Sequence, residues 1–125
     1  MAVVRLLDDT NQNVSITGGH FPGAGYYGTQ KGIHTIVMHP SELIGRFFIE
    51  ATLSLDPQDN DWFPILYDEN EKPYIEYYDP IDSPQVWTLY GNYTYVRAGL
   101  DRSYFVPEPD LLSVGRILKV EMSTN

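Results

Sequence analysis

The chain has 125 residues, 42% of them hydrophobic and 20% charged, with no cysteine and a formal net charge of −9. That is enough for one domain with one core (residues 1–125), and it excludes disulfides and cysteine-based zinc sites. The negative charge repels polyanions, the eight Lys and Arg residues form no cluster, and no apolar run approaches the ~20 residues of a membrane helix, so neither nucleic acid nor membrane is expected as a partner.

Residues 2–7 are an apolar run ended by Asp8-Asp9 and read as a first strand, with a turn at 8–13 and a short β-branched strand at 14–17. Residues 18–32 hold six glycines, which argue against any regular element there, yet Phe21, Tyr26 and Tyr27 argue against plain disorder. Residues 33–39 are β-branched and apolar, and Pro40 should stop them, leaving one helical turn at 40–43.

The chain's organising stretch is 45–65. Phe47, Ile49, Ala51 and Leu53 alternate with mainly polar neighbours, the period of a half-buried strand. An acidic loop at 56–61 follows, then Trp62-Phe63 opens a second apolar run through Pro64, an edge or bulged strand. The expected core residues are Phe47, Ile49, Leu53, Trp62 and Val96. Residues 68–72 are a turn, 74–78 a Tyr-rich strand and 79–84 a second turn; 85–90 and 93–100 are strands that Gly91-Asn92 should join as a tight hairpin. A second long irregular stretch, 101–113, carries Tyr104, Phe105, Pro107 and Pro109. The closing strand, 114–122, places Val114, Leu118, Val120 and Met122 on one parity. No segment holds a helical period for three turns. The expectation is an all-β, antiparallel, jelly-roll-like β-sandwich of about eight to nine strands with two long loops.

Chemistry is harder to find. Gly23, Gly25 and Gly28 match G-x-G-x-x-G, but the strand before and helix after that a dinucleotide site needs are missing. The acidic loop has oxygens for calcium without the EF-hand spacing, and reads as a solvated turn. His34 and His39 are five apart on one strand and point to opposite faces, so they cannot chelate together, and the histidines are expected at the surface or as caps. Glu50 and Glu76 sit mid-strand, with no reason to meet as acid and base. Both are candidate partners for Arg97, whose own-strand neighbours on the same face are not acidic. No enzyme, catalytic residue, cofactor or metal is expected. Tyr74–Tyr78 and Trp87 could stack on sugar rings, although Tyr is simply a good strand residue.

Three motifs follow one another: Ile49-Glu50-Ala51-Thr52-Leu53, then Pro57 to Ile65 containing Asp61-Trp62-Phe63, then Gly91-Asn92-Tyr93-Thr94-Tyr95-Val96-Arg97-Ala98. In this order they resemble the small discoidin-like, galactose-binding-like jelly-roll modules of tailed-phage virion proteins, cyanophage type. The resemblance covers about residues 33–100 and the closing strand. It implies a virion structural protein (capsid decoration, neck or tail/baseplate) that works through protein–protein contacts with other virion proteins, as a homo-oligomer in the particle. The aromatic loops, with Phe21, Tyr26, Tyr27, Tyr104 and Phe105, are the expected interface. The alternative is a carbohydrate-binding module for host-surface glycan.

Overall fold

Alternation in the sequence becomes alternation in burial. Strand β4 (Ile33–Ser41) buries His34, Ile36, Met38 and Pro40, and β5 (Leu43–Thr52) buries Leu43, Gly45, Phe47, Ile49 and Ala51, while the residues between them face outward. The computed structural model describes residues 3–28, 31–105, 110 and 113–125. The other strands among these are β1 (Val3–Leu7), β2 (Ile16–Thr17), β3 (Phe21–Pro22), β6 (Phe63–Pro64), β7 (Ile75–Ile81), β8 (Gln85–Tyr90), β9 (Tyr95–Asp101) and β10 (Arg116–Thr124), with one short helix, α1 (Ala24–Tyr27). The first sheet has the order β1-β10-β4-β8. The second runs β2-β9-β5-β6, with β3 also on β9 and β7 also on β5. The described pairings are antiparallel, the sheets do not close into a barrel, and the fold is an all-β sandwich.

The core lies between the sheets. Phe47, Ile49 and Val96 of the second sheet meet Ile36, Met38 and Met122 of the first, all fully buried. Each such side chain contributes ~1.5–3 kcal/mol by leaving water. Trp87 stacks on Phe47, ring centroids 5.2 Å apart and planes at 19°, which places it against the core rather than on an open sugar-binding surface.

Several expectations are corrected. Leu53 is not a core residue; it is 66% exposed. Strand β5 ends at Thr52, whose hydroxyl accepts the Ser54 amide at 3.1 Å, and this local turn breaks the parity one residue before Leu53. The helical turn at 40–43 is absent. Strand β4 runs through Pro40, because β8 stops opposite Met38 and a missing N–H is tolerated beside one neighbour. Glu42, at φ 51°, then turns the chain into the second sheet. Gly91-Asn92 makes no hairpin, since β8 pairs with β4 in one sheet and β9 with β5 in the other. In β10 the register shifts between Ile117 and Lys119, so Ile117 and Val120 both point inward and Leu118 is 39% exposed.

The glycine-rich stretch is ordered where it is described. Strands β2 and β3 pair with β9, and the amides of Gly18, Gly23 and Gly25 bond to the carbonyls of Ala98, Thr94 and Tyr93 at 2.9, 2.9 and 2.8 Å. A Cβ on Gly25 would collide with the Asn92 carbonyl. Here glycine serves close backbone approach rather than looseness.

Arg102 ties the far end together. It is fully buried. Its guanidinium donates to the carbonyls of Val114 and Gly115, both at 2.9 Å, of Val14 at 3.3 Å and of Asn13. Among the described residues, backbone dipoles rather than a carboxylate compensate this cation, and burial lowers its pKa.

Candidate functional site

The outward face of the second sheet carries the densest chemistry. Register sets its rows: on β5 and β9, Arg46 lies opposite Asp101, Phe48 opposite Gly99 and Glu50 opposite Arg97, while β7 brings Glu76 opposite Arg46. Arg46 Nε donates to Glu76 at 3.1 Å, and Arg97 Nε donates to Glu50 at 2.8 Å. Aromatic rings cover the cations. The Arg46 guanidinium lies 4.5 Å from the Tyr74 ring centre and 3.7 Å from that of Tyr104; that of Arg97 lies 4.1 Å from Trp62.

The three motifs that carry the family resemblance therefore meet in space. Glu50 comes from the first, Trp62 from the second and Arg97 from the third. Of the two acidic partners expected for Arg97, Glu50 takes it and Glu76 takes Arg46. Trp62 corrects the expectation of a core anchor. It is half-buried and lies outside the core cluster, against Arg97 and, at 5.7 Å, His20. The chain leaves a 3-10 turn at Asp59–Asp61, capped by the Asp61 carboxylate on the Gln58 amide, directly before Trp62; the buried apolar residue after β6 is Leu66.

Between these groups is a cleft of about 330 Å³ lined by Arg46, Phe48, Glu50, Pro64, Pro73, Tyr74 and Asp101. Phe48 lies across β9 because Gly99 is beneath it; a Cβ there would run into the ring. Burial works to raise the Asp101 pKa, but bonds from Ser103 and Ser15 and the nearby Arg46 outweigh it and hold the carboxyl below its usual value. Burial, then the charge of Glu76, pushes the Tyr104 phenol up to about 12.

The residues expected at an interface divide. Phe21 packs on the core cluster, and Tyr104 lies over Arg46 with Phe105 against it at 4.8 Å, so these three rings are at least partly spent on the domain itself. Tyr26 and Tyr27 are 49% and 43% exposed and meet edge to face at 5.6 Å. Pro107 and Pro109 lie outside the described residues. Tyr74–Tyr78 does not form one platform: Tyr74 lines the cleft, Tyr77 packs on the core and Tyr78 is 77% exposed.

Sequence reasoning missed His34, expected at the surface or as a cap. It is fully buried, and its Nε2 accepts the Ala24 amide at 3.0 Å. The regular alternation of 33–39 was the available signal, since it puts His34 on the face of Ile36 and Met38. Arg102 offered no signal; it follows a strand inside a stretch with no period. Searches for similar proteins among family models, curated proteins and solved structures find no match to this chain.

Proposed function

We propose that this protein is a non-enzymatic structural component of a tailed-phage particle that works by docking on neighbouring virion subunits. The observation that carries the reading is the exposed pair Tyr26 and Tyr27. Helix α1 presents them from a backbone strapped to residues 92–94, so docking would order little that is not already ordered. Tyr is enriched at protein interfaces, and two adjacent exposed rings form an anchor of the usual kind. The meeting of Glu50, Trp62 and Arg97 adds support, because it gives the motifs behind the virion resemblance a common structural purpose. Glu50 and Glu76, each held by a different arginine, look like parts of structural ion pairs rather than of an acid–base pair.

The test is the double substitution Tyr26→Ser with Tyr27→Ser. The isolated domain should keep its melting curve while incorporation into the particle is lost. A destabilised domain that still incorporates would mean that the two rings serve only the domain's own packing.

A further inference from the structure

The outward cleft has a feature that subunit docking through Tyr26 and Tyr27 does not use. Both bonds from Arg97 fall on Oε1 of Glu50, and all three bonds to Asp101, from the Ser15 hydroxyl and from the amide and hydroxyl of Ser103, fall on Oδ1. Each carboxylate is thus fixed through one oxygen, with the other unbonded among the described residues. The residues that carry these two acceptors lie four residues apart along the β5–β9 ladder, about 14 Å between their backbone positions at ~3.4 Å per residue. Phe48 lies between them, and Tyr74 also lines the cleft.

We propose that this cleft binds a neutral saccharide about two rings long, its apolar ring faces on Phe48 and Tyr74 and its hydroxyls donating to Glu50 at one end and Asp101 at the other. The charges select against the obvious competitors. Arg46 and Arg97 are already paired with Glu76 and Glu50, and three carboxylates stand against two guanidiniums, so the net charge around the cleft is negative and disfavours an anion. No cluster of three potential metal ligands exists among the described residues, and the two carboxylates come from different strands four residues apart in register, a poor arrangement for closing around one cation. A saccharide supplies what remains: hydroxyl donors at both ends and C–H faces for aromatic rings. The volume, about 330 Å³, is at the small end of the ~300–1,000 Å³ typical of ligand sites.

The experiment is amide-detected NMR on the ¹⁵N-labelled chain, titrated with maltose, cellobiose, lactose and diacetylchitobiose, and with glucose, arginine and calcium chloride as comparisons. At least one disaccharide should shift the amides of Phe48, Glu50 and Asp101 saturably, and more tightly than glucose does. Tyr74→Ala should weaken that binding about tenfold, equivalent to ~1.4 kcal/mol, with an otherwise unchanged spectrum. Phe48→Leu, which keeps an apolar side chain over Gly99 but removes the ring, should do the same. The proposal is overturned if no disaccharide gives saturable shifts or if the shifts fall outside the cleft. Glucose binding as tightly as any disaccharide, both variants keeping wild-type affinity, or arginine or calcium moving these amides where sugars do not would each overturn it too.

Discussion

His34 shows how one side chain couples a loop to the core. Its Nε2 accepts the Ala24 amide, so the neutral ring carries its proton on Nδ1. Burial lowers its pKa, and although the carbonyls of Leu89 and Gly32 favour a proton, Nδ1 has no partner in hydrogen-bond geometry. A second proton would put a donor on Nε2, facing the Ala24 N–H. The folded-state pKa is below the free value of 6.5, so the unfolded chain takes up that proton first. The stabilisation is complete above about pH 6.5 and declines as pH falls below it, until the folded ring protonates as well. Melts between about pH 5 and 7 should therefore slope for the wild type and flatten in His34→Asn. Equal slopes in the two proteins would remove His34 as the source.

At the scale of elements, the binding of Arg102 to the 13–14 and 114–115 segments holds one end of the sandwich closed. Arg102→Ala would take the donor from four carbonyls, that of Val114 buried and the others partly so, and should cost at least ~1–3 kcal/mol, readable as a lower denaturation midpoint in urea. A change below ~0.5 kcal/mol would show that water replaces the guanidinium at no loss. Strands such as β4 and β5 were legible in the sequence because a period of two is local information. What was hidden depends on partners. Parity placed Glu50 and Arg97 on faces but could not name the strand next door, and nothing local marked the register shift after Ile117. The turn chemistry of Gly91-Asn92 suited a hairpin, yet the two strands it joins belong to different sheets. Of the outward cleft, the residue types were legible, including Tyr74 as a ring that could meet a sugar; their convergence was not, because it depends on the β5–β7 and β5–β9 registers. The order at Gly18, Gly23 and Gly25 was not legible because their backbone partners, Ala98, Thr94 and Tyr93, lie about 70–80 residues away, on β9 or just before it.

Across the molecule, the proposed docking pair and the proposed ligand cleft adjoin rather than stand apart: Tyr26 packs on Tyr95 at 5.6 Å, and Tyr95 shares the outward face of the second sheet with Arg97 and Asp101. Both rest on one shared core, so neither should survive its loss. The pairing of β1 with β10 has a further consequence. Val3 lies opposite Ser123, so the first and last strands enter and leave side by side at one edge of the first sheet. A fold with adjoining ends can be spliced into a loop of another protein without prising that loop apart, and it can be re-cut. A circular permutant that links the two ends by a short glycine-serine bridge and opens the chain between Asn70 and Glu71, in the exposed turn closed by Asp68 and Lys72, should fold to the same sandwich. Its melting temperature should fall within about 5 °C of the parent's. A permutant that stays unfolded would mean that the continuity of this turn, rather than the packing of the sheets, directs the fold.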